Sequence, residues 1–299
     1  MNRFSSTRTY AALLLLLLLI GSAEAASQAL RAVPGEVLTI DYPEPLRAIE
    51  LLDAEGRSIG RFKSFRTNDY LDGQGSVRVL IPLSSLMEAG EYELQYHSAA
   101  GSIEKTRPLK VVPREFRSET IPLDYSLTEL RSSDDPEKYE QALTIQEIYA
   151  RFNADRVMGT LQLDFPLPKK DSGEYRITSY YGDRRIFAYS DESTARSIHT
   201  GIDFAADVGT PVLAAGRGRV VLAADRIISG YSVVIEHMPG MYTVYFHLHQ
   251  LEVETGELVE TGQKIGTVGM SGLATGPHLH WEVRVQGVAV DPAMLTQIE

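Results

Sequence analysis

At 299 residues, 43% of them hydrophobic and 23% charged, the chain is long enough to bury more than one core. A net charge of −11 with no basic stripe excludes an electrostatic footprint for nucleic acid. The absence of cysteine excludes disulfides, thiolate catalysis and Cys-ligated zinc, so any metal here has only His, Asp and Glu to hold it.

In chain order, the first element reads as an export signal over residues 1–25. Arg3 and Arg8 precede the apolar run Ala11 to Ile20, and Ala23 and Ala25 supply small residues at the spacing a signal peptidase reads. The run is about half of the roughly 20 residues a spanning helix needs, so cleavage after Ala25 is expected and leaves no stable membrane span. The mature chain then carries −12 and is expected in the periplasm or cell envelope.

Residues 26–113 alternate apolar and polar positions in short runs such as "EVLTIDY", "SVRVLIPL" and "EYELQYHS", divided by turn signals such as "DAEGR" and "SAAG". That pattern predicts an N-terminal β-sandwich of the immunoglobulin type. It holds no candidate chemistry, and serves either as a spacer or as the surface for an envelope protein partner.

The period changes within residues 114–170. Asp134 or Asp135 can cap, Pro136 suits a first turn, and Tyr139, Leu143, Ile148 and Phe152 recur at helical steps. One linking amphipathic helix is predicted over about 136–153, packed between the two β regions by that stripe. Residues 171–299 return to short strands punctuated by glycine and proline, which predicts a C-terminal antiparallel β domain. The fold class is mainly β.

Six of the seven histidines, His199, His237, His247, His249, His278 and His280, fall in the last third of the chain, and only His97 lies outside it. In "PHLHWEV", a strand would point His278 and His280 to one face and Leu279 and Trp281 to the other. In "HTGIDFAAD", His199 and Asp203 share a face at a spacing of four, and in "YTVYFHLHQ" His247 follows Tyr245 by two, same-faced if extended. A catalytic zinc site needs three protein ligands and an open position. His199, Asp203, His247, His278 and His280 supply enough candidates for three ligands and two helpers, all beyond Arg185. His237 reads as a paired strand-end histidine and Tyr245 as packing. Gly272 and Gly276 are candidates to floor a groove.

The blocks "HTGIDFAADVGTPVLAAGRGRV", "YTVYFHL" and "GMSGLATGPHLHWEV", with "SYYGDRR" before them and "VDP" after, resemble the lysostaphin-type, or LytM-type, zinc metallopeptidases of peptidoglycan. The resemblance implies Zn2+ bound by His199, Asp203 and His280, with His247 and His278 as catalytic histidines acting jointly. It implies an exported zinc metalloendopeptidase acting on the peptide stems of peptidoglycan, a hydrolase of the cell wall. The alternative is a non-cleaving LytM-like regulator of another wall hydrolase. Three departures bear on groove shape: His249 replaces a small polar residue, "GYSVVIEH" lacks an asparagine, and residues 186–198 form a long loop that, like the helix, could be inhibitory.

Overall fold

The computed structural model describes residues 29–43, 45–67, 76–169 and 175–296. The expected signal segment 1–25 lies outside them. Among the described residues no helix is long and apolar enough to cross a membrane.

The N-terminal strands are β1 (Leu30–Ala32), β2 (Val37–Pro43), β3 (Leu46–Leu52), β4 (Ser58–Arg66), β5 (Ser76–Pro82), β6 (Gly90–Ser98) and β7 (Ile103–Val111). They run in the order β1-β7-β6-β3-β4-β5-β2, antiparallel except for β1 on β7. β4 pairs β3 through its first half and β5 through its second, so the sheet folds over at that strand. The alternating apolar side chains close inside, with Ile49, Val79, Leu94 and Leu109 fully buried.

The connecting segment is richer than one helix. β8 (Ser118–Pro122) comes first, then α1 (Tyr125–Ser132), capped by Asp124, then α2 (Pro136–Ala150), capped by Asp135 with Pro136 in its first turn. The predicted stripe holds at Ile148 and Phe152, which pack inward, and is corrected at Tyr139 and Leu143. Tyr139 is 68% exposed and Leu143 42%, while Ile145, Ile148 and Tyr149 are buried against Val234, Tyr242 and Val244. The helix therefore covers one face of the C-terminal sheet, and its buried stripe was masked in the sequence by equally spaced apolar residues that face solvent.

That sheet contains β9 (Ile177–Ser179), β12 (Ile202–Ala205), β14 (Gly218–Arg226), β15 (Gly230–Met238), β16 (Met241–Leu251), β17 (Leu258–Val259) and β19 (His278–Val285), in the order β17-β14-β15-β16-β19-β12-β9. All its pairings are antiparallel. β13 (Pro211–Leu213), β18 (Lys264–Val268) and β20 (Val288–Val290) attach to it. Residues 186–198, expected as a loop, are a hairpin of β10 (Arg184–Ala188) and β11 (Thr194–Ile198), and β8 joins β10 in parallel. The two β regions share packing: Phe65 and Leu80 belong to the C-terminal core, and the Tyr181 hydroxyl donates to the Ala289 carbonyl and accepts from the Ser85 amide.

Candidate metal centre

Three central strands set the site. β12 and β19 run antiparallel with Asp203 opposite His280, and β16 lies on the other side of β19 with Phe246 opposite His280. Since side chains alternate, Leu279 and Trp281 enter the core at 0% exposure while His278, His280 and Glu282 share the opposite face. Gly201 permits the close approach, since a Cβ there would lie 2.3 Å from the Trp281 carbonyl oxygen. His199, directly after β11, is carried to the same point.

His199 Nε2, Asp203 Oδ1 and His280 Nδ1 meet there at 3.1, 2.9 and 2.7 Å from one another, all three residues buried. The outward nitrogens are already committed. His199 Nδ1 lies 2.9 Å from the Tyr180 carbonyl, which can only accept, so Nδ1 carries the hydrogen. His280 Nε2 lies 2.9 Å from Glu282 Oε1 and donates to it. With the outward nitrogens committed, the inward atoms offer lone pairs whenever the rings are neutral, aimed with a carboxylate oxygen at one point. Such a donor set can hold a cation, and the residues fit a divalent metal of the zinc type, for which hydrogen-bonded imidazoles and a carboxylate are ordinary ligands.

Without a metal, a proton on His280 takes the cation's place. Burial would push the His280 imidazole down, but Asp203 and Glu282 on its two sides hold it protonated, up to about 9. Burial would also raise the Asp203 carboxyl, yet His199 and His280 hold it well below the usual range. The Glu282 carboxyl, likewise opposed by burial, is held low by Arg284 and His280. Metal uptake therefore displaces a proton from the cluster.

His247 and His278 stand beside it, their ring centroids 4.8 Å apart. His278 Nε2 is 3.8 Å from Asp203 Oδ1. Each ring spends its Nδ1–H on a backbone carbonyl, Ser271 for His247 and Gly276 for His278, both at 2.8 Å, which leaves Nε2 as an acceptor. Burial lowers His247 to about 3.

Strict alternation fails at His247, and this corrects the expectation that it shares a face with Tyr245. His247 has φ 61°, a left-handed conformation rare outside glycine, and the β15–β16 register shifts beside it. The kink turns the imidazole into the site next to Phe246, while the fully buried Tyr245 hydroxyl accepts from the Ala215 amide. Tyr245 is packing. His237 is also internal, between the Arg217 carbonyl at 2.9 Å and the Thr243 hydroxyl at 2.7 Å. His249 is exposed at the edge of a small surface groove with Tyr231 and Met270.

Sequence reasoning missed four contributors. Phe246 stacks on His280, centroids 5.4 Å apart and planes 9° from parallel. Glu282 orients His280, and the alternation in "HLHWEV" that paired the two histidines already placed it on their face. Arg185 Nη2 donates to Asp203 Oδ2 at 2.6 Å, and Glu119, from the connecting segment, accepts from Arg185 Nε. No sequence pattern pointed to Glu119, which lies before Arg185 and touches the cluster only through it. The cluster opens on a cavity of about 580 Å³ whose lining includes the apolar Ile121, Phe187, Ile228, Leu273 and Pro277. Gly276 lines it with open space beyond, and Gly272, at φ 70° and packed against Gly230, makes the turn behind it.

Residues 197–292 match the model of peptidase family M23. The chain is 41% identical over 117 residues to the peptidoglycan DD-endopeptidase ShyC of Vibrio cholerae, which covers 39% of this chain and 26% of that protein. It is 43% identical over 95 residues to the DD-carboxypeptidase/endopeptidase Mpg of Neisseria meningitidis, covering 32% and 22%. The chain thus matches about a quarter of the length of these relatives. A crystal structure assigned to peptidase M23, from Pseudomonas aeruginosa, superposes with a TM-score of 0.59 at 25% identity, covering 88% of this chain and 93% of that one.

Proposed function

We propose that this chain, whose residues 197–292 match peptidase family M23, is an exported zinc metalloendopeptidase that hydrolyses peptide cross-links of peptidoglycan. The observation that carries the reading is the convergence of His199 Nε2, Asp203 Oδ1 and His280 Nδ1, with the far nitrogen of each imidazole already held. Relatives named peptidoglycan DD-endopeptidase support the substrate class, and the D-alanyl to diaminopimelate cross-link is the bond proposed. The N-terminal signal pattern supports action in the periplasm or cell envelope.

Held by these three side chains, zinc would keep an open position, polarise the scissile carbonyl and acidify a water at neutral pH. The chain's own residues do the rest. His247 and His278 each offer a lone pair on Nε2 because a backbone carbonyl takes the hydrogen of Nδ1. Together they receive the proton of the attacking water and return one to the leaving amine, and the protonated ring donates to the developing oxyanion. Asp203 carries the negative charge that balances the metal, and Arg185 on its second oxygen leaves Oδ1 as the one facing the cluster. Phe246 shields His280 from solvent on its ring face. The cavity has room for a peptide segment, and His278 lines it beside the cluster. The N-terminal strands offer a surface for an envelope partner.

The test is metal analysis of the purified chain together with digestion of isolated cell wall, the severed bond being identified by mass spectrometry. One zinc per chain, cleavage of a stem cross-link and loss of cleavage on chelation are expected. Full cleavage by a metal-free preparation overturns the metal assignment. A zinc-loaded chain that cuts no wall peptide overturns the enzyme in favour of a non-cleaving regulator.

A further inference from the structure

Asp203 is gripped from behind by a chain of charges that leaves the matched region. Its Oδ1 faces His199 and His280, while its Oδ2 accepts from Arg185 Nη2 at 2.6 Å. Arg185 Nε donates to Glu119 Oε1, also at 2.6 Å, and Glu119 accepts in addition from the Ser179 hydroxyl at 3.0 Å. Glu119 rides on β8, whose parallel register sets it opposite Arg185 on β10. Both side chains are mostly buried, at 15% exposure for Arg185 and 27% for Glu119, and both precede residue 197, where the family match begins.

We infer that Glu119 is a positioning residue of the metal site, acting through Arg185; the inference rests on the reading of His199, Asp203 and His280 as metal ligands. Arg185 has two opposed effects on Asp203. Its planar fork pins Oδ2 and so presents a single oxygen to the cluster, which favours an ordered ligand set. Its positive charge also stands beside the point where a dication must sit, which disfavours binding. Glu119 resolves the conflict. Its carboxylate neutralises the guanidinium while using a different N–H, so the grip on Asp203 stays and the repulsion is cancelled. A lysine could not span the two carboxylates with fixed geometry. The strand between the two β regions thereby becomes part of the metal site.

The experiment is competition for zinc between the full-length chain and a chromophoric chelator at fixed pH, with the melting temperature of each metal-free protein as the fold control. E119Q is expected to raise the zinc Kd by about tenfold or more, within the range typical of groups that orient metal ligands, while metal-free melting changes little. In the R185Q background the same substitution is expected to change Kd by less than about twofold, because no guanidinium remains to neutralise. A merely structural role for the pair would instead lower the metal-free melting temperature, which the fold control reads. If E119Q does not fold, E119D, which keeps the charge and shortens the reach, is compared in the two backgrounds instead. E119Q within twofold of a zinc-binding wild type overturns the inference alone, and so does an equal loss in both backgrounds, which would mean that Glu119 acts on the metal directly. A wild type that takes up no zinc overturns the reading of the site and the inference with it.

Discussion

His280→Ala and His278→Ala remove imidazoles two residues apart on one strand face, yet they should fail in different ways. The His280 ring is buried, bonded at 2.7 Å to Asp203 and 2.9 Å to Glu282, and stacked on Phe246. Its removal leaves Asp203 with Arg185 and Glu282 with Arg284 and Thr200, so neither carboxylate is orphaned, but both lose a charged neighbour in a buried setting. Breaking a buried charged contact costs about 3–5 kcal/mol when nothing compensates, and the surviving partners place this case at the lower end. Zinc linkage adds to it: at a hundredfold excess over Kd, bound metal contributes about 2.7 kcal/mol that the variant cannot recover. For a chain of this size the sum lowers the melting temperature by roughly 10 °C or more in the presence of zinc. His278 has a side chain 16% exposed, and its Nε2 stands 3.8 Å from Asp203 Oδ1, outside the cluster contacts. His278→Ala should therefore keep its zinc and most of its stability while cleavage falls by about 10² to 10⁴, the range for losing a proton carrier or oxyanion donor. The assay is zinc stoichiometry, melting with and without zinc, and wall-cleavage rate for both variants. Zinc lost from His278→Ala but retained by His280→Ala would reverse the two roles. Zinc and full activity retained by both would refute the metallopeptidase reading.

Away from the ligands, burial holds His237 at about 4 in the folded chain, against about 6.5 unfolded. Its contribution is complete above pH 6.5 and is lost as pH falls toward 4, by up to about 3 kcal/mol, so denaturation of wild type and His237→Gln should show the steeper acid loss in wild type; parallel pH profiles would contradict this. Ile148→Ala should cost about 2–5 kcal/mol because its side chain closes the layer between α2 and the sheet, whereas Leu143→Ala should cost less than about 1 kcal/mol, and chemical denaturation showing the reverse order would contradict the observed helix face. At His247 the left-handed backbone predicts that His247→Asn is more stable than His247→Val by about 1 kcal/mol or more, since a β-branched side chain is strained there; equal midpoints in denaturant would speak against the kink.

The glycine-punctuated short runs announced a mainly β chain, and alternation in "HLHWEV" put His278 and His280 on one face with Leu279 and Trp281 in the core, because burial on one side of a strand imposes a period of two on the residues themselves. The same rule already held Glu282, the group that fixes the His280 tautomer. Asp135 and Pro136 marked the start of α2, since capping is a contact between neighbours in the chain. What could not be read locally was decided by packing. Tyr139 and Leu143 satisfy a helical period as well as Ile145 and Ile148 do, and only the sheet beneath determines which stripe is covered. His247 follows Tyr245 at strand spacing, and only the register shift beside β15 turns its ring out of the core and into the site. Glu119 lies 84 residues from Asp203 in the chain and 66 from Arg185, in a stretch with no periodic signal. It reaches Arg185, and through it Asp203, because β8 pairs in parallel with β10, and a parallel pairing between distant strands is a property of the closed tertiary structure, where the energy of the contact exists only after the chain between its partners has been folded out of the way.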